Sequence, residues 1–163
     1  RQRQMCIRDR FYGATSFSQS LCWDIPDDAA TTDMFLGANV AASAKAFTTT
    51  TLQTAVSDWC SDSSTAAANY GDISAWCTSE VEDMSHLFGS YSGHCSTYSS
   101  FNEDLSHWDL SNVMSIYGIF WGAVEFNSDV SAWNTTNVIN FAYAFRGESA
   151  EVVSAFNGDV SAW

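Results

Sequence analysis

Phe101-Asn102-Glu103-Asp104-Leu105-Ser106-His107-Trp108-Asp109-Leu110-Ser111-Asn112-Val113 contains at its centre a unit that this chain repeats. Asp-aliphatic-Ser-x-Trp occurs as 72–76, 104–108, 129–133 and 159–163. Recurrence at fixed offsets is the mark of stacked repeats rather than of one closed globule. Each unit buries its apolar face against its neighbours, so equivalent positions keep the same residue type. The tryptophans Trp76, Trp108, Trp133 and Trp163 are separated by 32, 25 and 30 residues. The value of 25 reads as the basic period, with insertions at 89–100 and 146–155 in the longer intervals.

The likeness continues past each tryptophan. Val81, Val113 and Val138 stand at +5, and Met84, Ile116 and Phe141 at +8. Leu87, Ile119 and Ala144 stand at +11, and Phe88, Phe120 and Phe145 at +12. Steps of three and four predict one face of an amphipathic helix. Ser79 followed by Glu82, with Ser111 and Thr136 in the same place, reads as a helix start. The Asp-aliphatic-Ser-x-Trp segment alternates and holds aliphatic and aromatic residues, which predicts a short strand. Each unit is thus expected to run strand, turn, helix, loop, an α/β repeat of short parallel strands alternating with short helices. The repeat tryptophans, +5 valines and +12 phenylalanines form its expected core, with Trp108 and Trp133 stacked on each other.

Four regions follow. Residues 1–10 differ from the rest; 11–47 hold a degenerate copy around Trp23 and Phe35; 48–69 are a helix and turn; and 70–163 are the array. In the third, Leu52, Val56 and Trp59 share one face of a helix over 48–60, capped by the threonine run, and 61–68 read as a turn.

Phe-Asn-x-Asp-(Ile/Leu/Val)-Ser-x-Trp-(Asp/Asn)-x-Ser-Asn-Val, continued to the +12 phenylalanine and a Gly-Ala pair, resembles the repeat of BspA-type leucine-rich-repeat surface proteins. The match is best over 101–133. The resemblance implies a leucine-rich-repeat-like right-handed solenoid with a parallel sheet, and a role in adhesion or recognition at a cell surface without catalysis. Cys77 replaces the usual Asp after Trp, Pro26-Asp27-Asp28 stands where Ser-Asn-Val is usual, and Asn140-Phe141 replaces a polar-Met pair. Residues 1–10 resemble a sequencing adapter translated in frame and are set aside from fold reasoning. The chain stops at Trp163 within a unit, which reads as a fragment open at both ends.

The net charge is −13. Setting 1–10 aside leaves Lys45 and Arg146 against eighteen acids, a net of −16. Such a field repels nucleic acid and anionic lipid. No apolar run is long enough to span a membrane. Cys22, Cys60, Cys77 and Cys95 form an even set compatible with disulfides in an oxidising compartment, which places the chain outside the cell or on its surface. Asn134-Thr135-Thr136 is a glycosylation triplet at Asn134.

Cys77, His86, His94 and Cys95 are zinc-ligand types, but without a Cys-x-x-Cys or His-x-x-x-His clamp they read instead as a Cys77–Cys95 disulfide and two solvated histidines. Gly89-Ser90-Tyr91-Ser92-Gly93 places a tyrosine where a nucleophile elbow needs serine. The column Asp72, Asp104, Asp129 and Asp159 reads as turn-forming carboxylates. Calcium is the alternative, with Asn102, Asn127 and Asn157 as further oxygen donors. Trp121, Tyr117, Tyr91 and Tyr98 do not repeat and are candidate contact residues. The resulting expectation is a non-enzymatic scaffold, without cofactor, that presents its surface to a protein or glycan partner. A structural spacer or cell-wall scaffold, and an accessory module of a larger extracellular enzyme, are the other readings.

Overall fold

The computed structural model describes residues 46–163. The expected degenerate repeat around Trp23 and the adapter-like segment 1–10 lie outside these residues. Helix α1 spans Thr49–Ser61 and buries Leu52, Ala55, Val56, Trp59 and Cys60. Thr48 caps it: its hydroxyl accepts from the Thr51 amide while the Thr51 hydroxyl accepts from the Thr48 amide. These reciprocal bonds satisfy donors that a helix start would otherwise leave unpaired. Asp62 then caps a second helix, α2, Ser63–Tyr70, where the small polar residues had read as a turn. Gly71 ends α2 at φ 80°, a left-handed conformation that glycine adopts without a side-chain clash.

Beyond Gly71 the expected architecture is overturned. Among the described residues there is no strand, and α1 and α2 are the only α-helices. The units are therefore not leucine-rich-repeat units of alternating strand and helix. The Asp-aliphatic-Ser-x-Trp segment is a turn, in which the Asp carboxylate accepts from the Ser amide two residues on. The distance is 2.9 Å at Asp72, Asp104, Asp129 and Asp159 alike. The tryptophan amide closes the turn by donating to the aliphatic carbonyl, at 3.1–3.3 Å for Trp76, Trp108, Trp133 and Trp163.

The segment after each tryptophan is not helical either. Its amides divide between two sets of partners. Those at +5, +11 and +13 donate three residues back, as in Val113 to Leu110 at 2.9 Å, Ile119 to Ile116 at 3.1 Å and Trp121 to Gly118 at 3.0 Å. Those at +8, +10, +12 and +14 donate to the following unit. Met84 reaches Ser115 at 2.9 Å, His86 reaches Tyr117 at 2.8 Å, Phe88 reaches Ile119 at 2.9 Å and Ser90 reaches Trp121 at 2.8 Å. The next interface repeats this, from Ile116 to Asn140 at 3.0 Å through Gly122 to Arg146 at 2.8 Å. Parallel bridges join Asp83 to Ser115 and Ser115 to Asn140. The three-residue turns explain the misreading: successive i→i+3 turns bring apolar side chains inward every three residues, close to the spacing of a helix face.

The interior is a set of aromatic columns. Phe88, Phe120 and Phe145 stack from unit to unit with centroids 5.6 Å apart at both steps. Phe101, Phe126 and Phe156 form a second column, at 6.2 and 6.1 Å. Within a unit the two columns touch, at 4.1 Å for Phe88–Phe101 and 3.7 Å for Phe120–Phe126. Trp76, Trp108 and Trp133 are buried, as are Val81, Val113 and Val138; Trp163 and Phe145 are partly buried. Indole stacking joins Trp76 to Trp108 at 6.2 Å and Trp133 to Trp163 at 5.9 Å. Trp108 and Trp133 are linked differently from the expected stack: the Trp133 indole N–H donates to the Leu105 carbonyl at 2.9 Å. Trp108 makes the same bond to Ile73 at 2.8 Å.

The disulfide also differs from expectation. Cys60 at the end of α1 bonds to Cys95 in the 89–100 insertion, so the pair is not Cys77–Cys95. Cys77 is itself disulfide-bonded. The Cys60–Cys95 bond ties the insertion to α1, and the Ser96 and Thr97 hydroxyls add bonds to the Cys60 carbonyl at 3.4 Å.

Trp108→Ala removes a buried indole, its stack on Trp76 and its bond to the neighbouring unit. It is expected to lower unfolding free energy by about 3–5 kcal/mol in a urea titration. Reducing Cys60–Cys95, which closes a loop of 35 residues, is expected to cost about 3–4 kcal/mol in the same measurement.

Candidate functional site: an aromatic ridge

The +10 residue of every described unit has a left-handed backbone: φ is 57° at His86, 58° at Gly118 and 61° at Tyr143. The turn closed by the +11 amide on the +8 carbonyl demands this conformation, since +10 is its third residue, the place in a type II turn that takes positive φ. Only the middle unit meets the demand with glycine. His86 and Tyr143 adopt it at a steric cost of roughly 1–2 kcal/mol each. Gly118 also leaves room: a β-carbon there would stand 2.9 Å from His86 Nδ1. The imidazole accordingly lies over the Gly118 backbone, and its buried Nδ1 has no hydrogen-bond partner among the described residues.

Around this slot, side chains from three units converge. His86 meets Tyr117 edge-on at 5.0 Å, Tyr91 at 5.7 Å and Trp121 at 6.2 Å. Tyr91 and Trp121 are 5.2 Å apart, Trp121 and Tyr143 5.1 Å, and Tyr117 and Tyr143 5.5 Å. The Arg146 guanidinium carbon lies 4.6 Å from the Trp121 centroid and 5.1 Å from that of Tyr143. Tyr91 is 74% exposed and Tyr143 48%, so the ridge faces solvent.

Of the contact residues anticipated, the fold brings together Tyr91, Tyr117 and Trp121. Tyr98 is half-buried against the core and makes none of these ring contacts. His86, Tyr143 and Arg146 were not anticipated in this role. His86 had read as a solvated histidine, and it is instead half-buried among rings. The missing signal was register, because +10 and +13 become neighbours across units only once the turns are known. Such a ridge can hold apolar or planar faces by stacking and can present guanidinium N–H groups beside them.

The remaining candidates are dispersed or structural. The Asp column lies in turns, and its oxygens accept from Ser74, Ser106, Ser131 and Ser161. Asn102 and Asn127 accept from the Asn127 and Asn157 amides at 2.8 Å, which links units rather than completing an ion site. Among the described residues no three His, Cys, Asp or Glu side chains group so as to hold a metal. Ser92 donates to the His86 carbonyl at 2.7 Å, not to its ring. Ser106 and His107 Nδ1 are 3.1 Å apart, yet Asp104 engages the serine and so forms the turn, not a relay to the imidazole. Asn134 is exposed, and its side-chain oxygen accepts from the Thr136 hydroxyl at 2.7 Å.

Hydrogen bonds from the backbone amide and then the hydroxyl of the following serine hold Asp104, Asp129 and Asp159 below the usual carboxylate range. Repulsion from Asp104 and Asp159 works against this at Asp129. A depressed folded-state pKa contributes stability above the unfolded carboxylate value, lost as pH falls through the folded value. The urea midpoint of the wild type is therefore expected to fall below about pH 4. Replacing all three with Asn, which keeps the turn acceptor as Asn134 and Asn140 already do, should flatten that acid limb. Calcium or a chelator should leave the midpoint of either form unchanged.

No curated protein and no solved structure matches this chain. The family model described as "Mycoplasma protein of unknown function, DUF285" matches residues 54–163. That span takes in α1 from its second turn, the four Asp-aliphatic-Ser-x-Trp units and the whole aromatic ridge, and on it the chain belongs to the DUF285 family.

Proposed function

We propose that this chain is a non-enzymatic recognition scaffold, outside the cell or on its surface, and that the ridge of Tyr91, His86, Tyr117, Trp121, Tyr143 and Arg146 takes a protein or glycan partner. The observation that carries the reading is the convergence of six such side chains from three units on one solvent-facing strip. Packing gives no reason for it. The interior is already filled by the phenylalanine and tryptophan columns, and the +9 position that Tyr117 fills carries only Ser85 and Ala142 in the neighbouring units. Exposed rings rimmed by polar residues mark interaction sites, and tyrosine and tryptophan supply large contact area at little conformational cost. Two left-handed non-glycine residues on the same strip fit a site where local strain is tolerated. The acidic remainder of the surface opposes nonspecific association with nucleic acid.

A scaffold that served only to set distance would have no use for the ridge. The test is binding to an array of immobilised glycans and glycoproteins by the wild type and by the double variant Trp121→Ala/Tyr143→Ala. The variant is expected to unfold within about 1 kcal/mol of the wild type, because these rings are partly solvated. Its binding should fall at least ten-fold. Equal binding by both forms would move the function off the ridge.

A further inference from the structure

Arg146 is the only Lys or Arg between residues 46 and 163, a span with fourteen Asp and Glu residues. Among the described residues no carboxylate pairs with it. Its guanidinium lies instead on Trp121 and Tyr143. A lone exposed cation in so acidic a chain would ordinarily find a carboxylate among its neighbours. Here the guanidinium carbon stands over two rings while the residue stays exposed, so N–H donors not used by a carboxylate are available to a ligand. Its backbone is fixed as well: the amide donates to the Tyr143 carbonyl at 3.1 Å, and the carbonyl accepts from Gly122 at 2.8 Å.

We infer that Arg146, Tyr143, Trp121 and Tyr91 form a subsite for a glycan that bears a single terminal carboxylate; this rests on the recognition reading above and names its ligand class. The sugar carboxylate meets the guanidinium edge in a bidentate pair, the geometry that arginine matches best. The apolar face of the same sugar lies on Tyr143, and the rest of the oligosaccharide runs along Trp121 and Tyr91, whose centroids follow at 5.1 and 5.2 Å. Charge narrows the class further. Glu148 already places a carboxylate beside Gly122, next to Trp121, and at physiological salt the screening length is about 8 Å, so the strip favours a ligand with one carboxylate, paired at Arg146, over one with several. A polyanionic chain would also meet the surrounding acids and be repelled.

The test titrates the whole chain with sialyllactose, lactose, a heparin-derived oligosaccharide and an acidic peptide ending in a free carboxylate. Wild type is expected to bind sialyllactose at least ten-fold more tightly than lactose and than either of the other two probes. Arg146→Gln should bring sialyllactose down to the level of lactose, and Arg146→Lys should not restore the difference. Tyr143→Ala should weaken both sugars. Because Arg146 is exposed, circular dichroism of these variants should match the wild type. Equal affinity for the two sugars, a difference that survives Arg146→Gln, or preference for the peptide or heparin fragment would each overturn the inference. If no probe binds while the array still shows ridge-dependent capture, the acidic-glycan inference falls and the recognition reading stands. Loss of both would sink the two together.

Discussion

Everything beyond Gly71 depends on where the backbone amides go. A buried N–H without an acceptor costs about as much as a lost hydrogen bond, and among the described residues the units past Gly71 hold neither α-helix nor strand to supply those acceptors. This chain alternates. From +8 to +14 the even-numbered offsets from the tryptophan reach the next unit, +11 and +13 close short turns within the unit, and the +6 amides of Met114 and Ile139 reach back to the preceding one. At +9 the acceptor is the side chain at +7, supplied by Asp83, Ser115 and Asn140 in turn. Each unit is therefore complete only when another lies beside it. Side-chain ladders reinforce the same dependence: tryptophan indoles donate across the interface, and Asn102 and Asn127 accept across it.

The interior follows from that geometry. Inward positions repeat in register, so like residues meet like residues, and flat aromatic rings fill a narrow stacked space with little rotamer freedom to lose. Phe120 touches Phe88, Phe126 and Phe145 at once, a density that irregular aliphatic side chains would not reach without voids. On the outside the same register has another consequence. Positions that carry no burial requirement also align from unit to unit. When His86, Tyr117, Trp121 and Tyr143 occupy them, a ridge forms across units without any loop being built for it.

Repetition and the inward +5 valines and +12 phenylalanines were legible in the residues themselves, since each depends on type recurring at fixed offsets, whereas the column of Phe101, Phe126 and Phe156 was not anticipated. The helix over Thr49–Ser61 was legible too, because its cap and its apolar face are local. What misled was period. Apolar residues every three to four positions satisfy a helix and a train of three-residue turns almost equally, and no side chain between +5 and +15 distinguishes them. The left-handed +10 position offered the best clue, yet only Gly118 advertises it; His86 and Tyr143 hide it behind side chains that rarely take that conformation.

Sequence alone thus determined that the chain is built of repeats, that its recurring valines and several of its recurring aromatic residues face inward, and that its charge is strongly negative, because composition and recurrence need no coordinates. Tertiary structure decided which amides pair between units, that Cys60 rather than Cys77 meets Cys95, and that Arg146 rests on Trp121 and Tyr143. These are relations between residues far apart in the chain or in different units. They follow from the register of one turn against another, and register is set by hydrogen bonds and stacking that exist only once the units have come together.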